Sequence, residues 1–219
     1  MTIKNLIFDL DGTLIDSSAG VVDAVNYSLK MVGSPQQEAR AIKKFIGYSL
    51  ATMYPHFTDA PYGELYRHFR VRAAEVIVRS AVLLPDVAEI LQYLHGRGYR
   101  MAIATTKVRS NIDGIIDKFQ WHSIFPVSVG GDEVAQVKPA PEALRLALKR
   151  LSAGPSESLV IGDTVNDVLA ARSIPMRVAA VKSPFGDSDE VVAARPDFLL
   201  ESLTELKEVL DVHAEGGSQ

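Results

Sequence analysis

Two aspartates near the start of the chain, Asp9 and Asp11, lie two residues apart in the stretch FDLDGTLIDS. They follow the apolar residues Leu6 and Ile7, a pattern typical of a buried strand that ends in a loop. Along a continued strand the two carboxylates would point to the same face, where like charges repel. Paired carboxylates are suited to nucleophilic attack and to general acid–base catalysis. The pair therefore predicts chemistry at the end of the first strand.

Further polar side chains follow other apolar runs. Thr105 and Thr106 end the run IATT, Lys138 lies in QVKPAPEA, and Asp163 and Asp167 lie in VIGDTVND. Ligands of an open parallel sheet bind at the carboxyl ends of its strands, so we expect these groups in one crevice. Four carboxylates would repel one another there, and a hard divalent cation with oxygen ligands relieves that repulsion. The set therefore predicts a Mg²⁺ site.

The rest of the sequence supplies the elements that would position these groups. Short apolar runs ending in small or acidic residues are typical of buried parallel strands: NLIF, MAIATT, SIFPVSV, SLVIG and MRVAAV. Stretches with helical spacing lie between or after them, namely VAEILQYL, APEALRLALKRL and SLTELKEVL. Strands that alternate with helices require βαβ crossovers. We therefore predict an α/β fold, a doubly wound, mostly parallel, Rossmann-like sheet.

One region breaks the alternation of strands and helices. Residues 17–83 show helical periodicity, as in YGELYRHFRVRAAEVIVR, but no strand that looks buried on both faces. We predict an all-helical inserted domain at 17–83 and an α/β core domain made of residues 1–16 and 84–219. The aromatic residues of the insert are expected to pack inside it: Tyr54, Phe57, Tyr62, Tyr66 and Phe69. The tail HAEGGSQ, residues 213–219, is expected to be disordered.

The composition sets the outer limits of the prediction. A chain of 219 residues with 47% hydrophobic content can bury its own core. The absence of cysteine excludes disulfides, a thiolate nucleophile and a zinc–thiolate site. No apolar run reaches the about 18 residues of a membrane span, and a formal net charge of −4 disfavours nucleic acid or an acidic membrane as the main partner. We expect a cytoplasmic protein without an export signal, as a monomer or homodimer.

In order and spacing, DLDGTLIDS, Thr105, Lys138 and GDTVND resemble the four motifs of the haloacid dehalogenase (HAD) superfamily. The helical insert resembles the C1 cap of that family. The resemblance implies a magnesium-dependent phosphatase in which Asp9 is the nucleophile and Asp11 is the general acid and base. A small phosphorylated metabolite would be its substrate.

The resemblance also implies the remaining roles. Four residues would bind the phosphoryl group: Gly12, Thr105, Thr106 and Lys138. Mg²⁺ would be bound by the carboxylates of Asp9 and Asp163 and the backbone carbonyl of Asp11, and Asp167 would orient the waters of the metal. Physical chemistry supports such a division of tasks, because an attacking carboxylate gives an aspartyl-phosphate and splits one difficult hydrolysis into two steps. Mg²⁺ and the Lys138 ammonium would neutralise the negative charge that is dispersed over the transferring group.

Several alternatives stay open at this point. FIGYSL and PDFLLESLTEL look most like the phosphoglycolate phosphatase group and its pyrophosphatase relatives, so both activities are candidates. The β-phosphoglucomutase branch carries a cap histidine that DSSAGVVDAVN lacks, which favours hydrolysis over phosphoryl transfer. A non-catalytic phospho-aspartate switch is a further alternative. Taken singly, Asn166 or Asp167 could be a helix cap and Lys138 a solvated loop lysine.

Overall fold

A parallel sheet lies at the centre of the fold, and the computed structural model describes residues 2–185 and 188–215. The strands are, in chain order, β1 (Asn5–Phe8), β2 (Ile15–Asp16), β3 (Val82–Leu83), β4 (Arg100–Ala104), β5 (Val127–Val129), β6 (Ser158–Gly162), β7 (Arg177–Val181) and β8 (Phe198–Leu200). Six of them form the main sheet in the order β5-β4-β1-β6-β7-β8, and every neighbouring pair is parallel. The predicted doubly wound α/β fold is confirmed.

Helices cover both faces of this sheet. They are α1 (Ser18–Met31), α2 (Ala39–Lys43), α3 (Leu50–Met53), α4 (Tyr62–Ser80), α5 (Val87–Gly96), α6 (Arg109–Phe119), α7 (Glu142–Leu151), α8 (Val165–Ser173), α9 (Ser188–Ala193) and α10 (Leu206–Glu215). Successive residues of β1 point to opposite faces, so Leu6 and Phe8 pack with α5, α6 and α10, and Ile7 packs with α7 and α8. Burial on both faces explains why β1 reads as a continuous apolar run.

The helices α1 to α4 form a separate hydrophobic cluster of their own. Within it the Arg72 guanidinium of α4 donates two hydrogen bonds of 2.9 Å to the Asp23 carboxylate of α1. The short strands β2 and β3 pair antiparallel where the chain leaves and re-enters the main sheet region. The sequence therefore predicts correctly that this region is helical. That the region is a domain separate from the rest of the chain stays a prediction.

The structure also departs from the sequence-based elements. Strand β8 and helix α6 are absent from the predicted set, although both contribute to the core. Helix α10 continues to Glu215, so the prediction of disorder is wrong for residues 213–215, and residues 216–219 lie outside the described part of the chain. Among the described residues, no helix is both long and apolar enough to cross a membrane.

Candidate active site

Asp9 lies directly after β1, at the carboxyl edge of the sheet between β4 and β6. Its backbone N–H donates to the carbonyl of Ile161 at 2.8 Å, which continues the parallel ladder by one residue. Its side chain is buried, and Oδ1 accepts a hydrogen bond of 2.8 Å from the Lys138 ammonium. The central position of β1 thus places this carboxylate in the middle of the crevice.

Lys138 joins Asp9 to the acidic residue at the start of α8. Its ammonium, itself buried, also donates to Asp167 Oδ1 at 2.6 Å. The other oxygen of Asp167 accepts hydrogen bonds from the backbone N–H and the hydroxyl of Thr164, which caps the helix. The helix cap is therefore Thr164, not Asn166 or Asp167, and Asp167 completes the capping box from the third helical position while it also contacts Lys138. The reading of Lys138 as a solvated loop lysine is wrong.

Asp163 directly follows β6 and lies close to Asp9. Its Oδ1 accepts a hydrogen bond of 3.0 Å from the Thr13 hydroxyl. Its Oδ2 is buried and accepts no hydrogen bond from the described residues. Gly12 approaches this carboxylate closely at a φ of +84°, and a Cβ there would lie 2.1 Å from Asp163 Oδ2. Only glycine combines that conformation with that contact.

The ionisation of these groups follows from burial and charge. Burial raises the pKa of Asp9 to about 7, although the Lys138 ammonium opposes the rise, and the Asp167 carboxylate adds to it. Burial, together with the charges of Asp9 and Asp167, raises the pKa of Asp163 well above its usual value. Burial lowers the pKa of Lys138, but the charges of Asp167 and Asp9 outweigh it and leave that pKa raised. One ammonium thus compensates the acids only in part.

The acidic cluster fits a divalent metal. Asp9, Asp163 and Asp167 each offer a carboxylate oxygen, and these oxygens lie within 4.8 Å of one another. All are hard oxygen donors, and the partnerless Oδ2 of Asp163 is a buried acceptor that a cation would satisfy. Asp11 contributes no carboxylate to this group, and its role through the backbone carbonyl stays a prediction.

Asp11 belongs to a second buried group, with Lys107 and Ser17. Lys107 Nζ donates to Asp11 Oδ2 at 2.6 Å and to the Ser17 hydroxyl at 2.9 Å. That hydroxyl in turn donates to Asp11 Oδ1 at 2.5 Å. Sequence reasoning missed both partners. Only their positions in the sequence could have indicated them. Lys107 directly follows the two threonines of IATTK, and Ser17 ends DGTLIDS.

The two threonines after β4 lie at the same edge but outside the acidic cluster. The Thr105 hydroxyl is buried and accepts a hydrogen bond of 3.3 Å from the backbone N–H of Lys107. Within the described residues it makes no hydrogen bond to the acids. Thr106 is half-buried and lines a cleft next to Lys107. Their assignment to the phosphoryl group stays a prediction.

A cleft of about 310 Å³ separates the helical insert from this edge of the sheet. Asp11, Thr106 and Lys107 line its core side, and Tyr62, Tyr66 and Phe69 of α4 line the opposite side. The expectation that the aromatic residues of the insert pack inside it is correct for Tyr54, Phe57 and Phe69, and Phe69 lines the cleft as well. Tyr62 and Tyr66 lie outside that hydrophobic cluster and line the cleft, although they stack on each other and Tyr62 contacts the Tyr54 ring.

Residues 6–181 match the model of the haloacid dehalogenase-like hydrolase family. The chain belongs to this family. The expectation of an enzyme, and of a hydrolase in particular, is thereby confirmed.

The chain is also similar to proteins named as a phosphatase and a pyrophosphatase. The "Probable phosphatase IndB" of Dickeya dadantii is 32% identical, over 92% of this chain and 90% of that protein. The "Pyrophosphatase PpaX" of Bacillus cereus is 30% identical, over 96% of this chain and 97% of that protein. A haloacid dehalogenase-like family hydrolase from Streptococcus pneumoniae superposes with a TM-score of 0.86 at 27% identity, over 94% of this chain and 98% of the other.

Proposed function

We propose that the protein is a Mg²⁺-dependent phosphatase that hydrolyses a small phosphomonoester through an aspartyl-phosphate on Asp9. Phosphoglycolate is the simplest candidate substrate. The observation that carries the proposal is the buried Lys138 ammonium, which donates to Asp9 at 2.8 Å and to Asp167 at 2.6 Å. A buried cation between acids is suited to binding and neutralising a phosphoryl group.

In the first step an Asp9 carboxylate oxygen attacks phosphorus, the new O–P bond forms, and the bond from phosphorus to the ester oxygen breaks. Asp11 gives a proton to the departing oxygen, which leaves as an alcohol. In the second step Asp11 takes a proton from water as that water attacks phosphorus. Inorganic phosphate leaves, and the carboxylate of Asp9 is restored.

Other groups of the chain hold these reactants in place. The Lys138 ammonium faces Asp9 and would neutralise charge on the phosphoryl oxygens. Lys107 and Ser17 contact both oxygens of Asp11 and act on the reaction through it, as positioning residues. The carboxylates of Asp9 and Asp163 and the backbone carbonyl of Asp11 would hold Mg²⁺, with Asp167 orienting its waters, and the ion would supply positive charge beside the attacking carboxylate and the phosphoryl oxygens.

Pyrophosphate is the second candidate substrate, because one group of relatives carries the name pyrophosphatase. The experiment that tests the proposal is a panel of phosphoglycolate, pyrophosphate, sugar phosphates and nucleoside monophosphates, assayed for phosphate release with Mg²⁺ and with chelator. We expect Mg²⁺-dependent release from at least one phosphomonoester and none in chelator. Equal release in chelator, or release from none of the esters, would overturn the proposal. Transfer between sugar positions without phosphate release would favour a mutase, and a stable phosphoprotein would favour the switch.

The remaining expectations concern the surroundings of the enzyme. We propose a small phosphorylated metabolite as its partner, rather than nucleic acid or a membrane. A cytoplasmic location and a monomeric or homodimeric state stay predictions, which fractionation of cells and light scattering of the purified protein test.

A further inference from the structure

The cleft between α4 and the core loops lies where the leaving group of a substrate must go. Asp11 lines the cleft, and the proposed reaction requires Asp11 to reach the ester oxygen. The alcohol attached to that oxygen therefore extends into the cleft, away from Asp9, Asp163 and Asp167. With about 310 Å³, the cleft has room for an alcohol larger than glycolate.

The walls of this cleft are mainly apolar and aromatic. Side chains of the insert form most of them, among them Phe45, Leu50, Met53, Tyr62, Tyr66 and Phe69. The rings of Tyr62 and Tyr66 are stacked, with centroids 5.7 Å apart and planes at 19°. Burial raises the pKa of Tyr62, and the neighbouring Tyr66 adds to the rise, so the phenol stays neutral. Because Tyr62 and the Arg70 guanidinium lie over the Tyr66 ring, a substrate ring would meet this pair at its edge, in the edge-to-face arrangement that aromatic pairs favour.

Charged groups contribute little to this lining. Lys107 pairs with Asp11 at 2.6 Å, and Asp132 accepts the backbone N–H of Arg109 at 2.8 Å. Arg70 is the one charged side chain that the insert places in the described lining, and its guanidinium is exposed, 5.8 Å from the ring of Tyr66. A second anionic group on the substrate would lose its hydration against apolar walls. The exposed guanidinium of Arg70 would be the one cation of the insert able to pair with it, and an exposed ion pair stabilises little.

Given the function proposed above, on which this step depends, we propose that the cleft binds an uncharged, apolar, ring-bearing alcohol portion of the substrate. The substrate class is then an alkyl phosphomonoester with a ring close to the ester oxygen. The ring packs against Tyr66 and its neighbours, while the phosphoryl group lies at Asp9. Glycolate and a second phosphate, which carry negative charge, fit these walls less well than such a ring does.

Matched esters test this directly. 2-Phenylethyl phosphate and ethyl phosphate release similar primary alkoxides, so a difference in kcat/KM reports on binding of the ring rather than on leaving-group chemistry. For the Mg²⁺-loaded enzyme we expect kcat/KM for 2-phenylethyl phosphate to be at least about tenfold above that for ethyl phosphate. We expect it also to exceed the values for phosphoglycolate and pyrophosphate.

Four variants locate the effect. In Tyr66→Ala the ratio of the two kcat/KM values is expected to fall about tenfold, mainly through KM for the larger ester, and Tyr66→Phe should restore it. Tyr27→Ala is the matched control, because Tyr27 also lies in the insert, against His68, outside the cleft lining. Arg70→Gln should leave the ratio within about twofold.

Two results would overturn the assignment while leaving the phosphatase intact. One is a wild-type preference for phosphoglycolate or pyrophosphate over 2-phenylethyl phosphate, with a large loss in Arg70→Gln. The other is a ratio in Tyr66→Ala that equals the ratio in Tyr27→Ala. If the Mg²⁺-loaded protein releases phosphate from none of these compounds, the proposed function itself fails.

Discussion

At the scale of single residues, Asp9 and Asp11 are close in sequence but have separate partners. Asp9 faces Lys138, and Asp11 faces Lys107 and Ser17. The separation offsets part of the repulsion that two carboxylates on one strand face would suffer, because each acid has an ammonium within 2.8 Å. Two acids in different surroundings can perform different tasks.

Replacement of Asp11 by Asn tests its proposed proton transfers. We expect Asp11→Asn to lower kcat for an alkyl phosphate by about 10²- to 10⁴-fold. An aryl phosphate needs little protonation of its leaving group, so its first step should lose less. Rapid-quench measurements of the first turnover with both esters compare the two losses. Equal losses would show that Asp11 matters only through its backbone or its packing.

The pair formed by Lys107 and Asp11 can be tested by a double-mutant cycle. Lys107→Met leaves the Asp11 carboxylate buried without its cation, and we expect it to lower the free energy of unfolding by about 3–5 kcal/mol. Addition of Asp11→Asn should recover part of that loss, because the uncompensated charge is gone. Urea denaturation of the four proteins measures the coupling. Additive effects would mean that the 2.6 Å contact between Lys107 and Asp11 contributes nothing to the free energy of unfolding.

At this scale the sequence predicts the acids well and their partners poorly. Asp9, Asp163 and Lys138 can be found because each follows a strand or lies in a recognisable motif. Lys107 and Ser17 are 90 residues apart and meet only through the folded chain. Their residue types carry no chemical signal by themselves, so only the structure assigns them to Asp11.

At the scale of elements, two glycines let the acids approach the strands. Gly12 faces Asp163, and Gly162 at the end of β6 faces Asp167. A Cβ at Gly162 would lie 2.3 Å from Asp167 Cγ, so β6 and the first turn of α8 can meet only without a side chain there. The positions of β6, α8 and their carboxylates are therefore coupled.

The close approach at Gly162 gives a prediction for stability and metal binding. Gly162→Ala should displace Asp167 from Lys138 and Thr164 and lower the free energy of unfolding by about 1–3 kcal/mol. Gly63→Ala in α4 is the control, since a Cβ there has no neighbour within 4 Å, and it should stabilise by about 0.4–1 kcal/mol. Thermal denaturation of both variants, with and without Mg²⁺, measures the effects. A Gly162→Ala protein as stable as Gly63→Ala would contradict the packing described.

The elements themselves are predictable to different degrees. β1, β4 and β6 are apolar runs with a neighbouring strand on each side, so their sequences alone indicate that they are buried. β8 has three residues and lies at the edge of the sheet, and its middle residue Leu199 is exposed. Such a strand is defined by pairing with β7 rather than by a pattern of its own, which explains why it was missed.

At the scale of the whole molecule, the sheet brings together acids from distant parts of the chain. Asp9 and Lys138 are 129 residues apart in sequence and 2.8 Å apart in space. The parallel order of β1, β6 and their neighbours produces this meeting, because all strands end at one edge. Sequence predicts this convergence once the parallel sheet is predicted. The aromatic lining of the cleft forms only where the insert packs on the core. Helical periodicity in the sequence gives no information about that packing.

The convergence of acids predicts that Mg²⁺ stabilises the fold. At a Mg²⁺ concentration 100 times the dissociation constant, the free energy of unfolding should rise by about 2.7 kcal/mol, which corresponds to a rise in Tm of about 5–10 °C. Asp163→Asn should reduce that rise, because it removes one charged ligand. Thermal scans with Mg²⁺ and with chelator measure it, and Asp189→Asn in α9, outside the cluster, is the control. An unchanged shift in Asp163→Asn would remove Asp163 from the metal site.

The most direct test of the central proposal is to trap the phosphorylated enzyme. Single-turnover mixtures with Mg²⁺ and an aryl phosphate, whose leaving group needs little protonation, would be quenched in acid within milliseconds, then reduced with borohydride, which converts an acyl-phosphorylated aspartate into homoserine. Peptide mass spectrometry identifies the modified position. We expect homoserine at position 9, with higher occupancy in Asp11→Asn, where hydrolysis of the intermediate is slow, and none in Asp9→Asn. Phosphate release without modification of Asp9, or undiminished turnover by Asp9→Asn, would contradict the proposed mechanism.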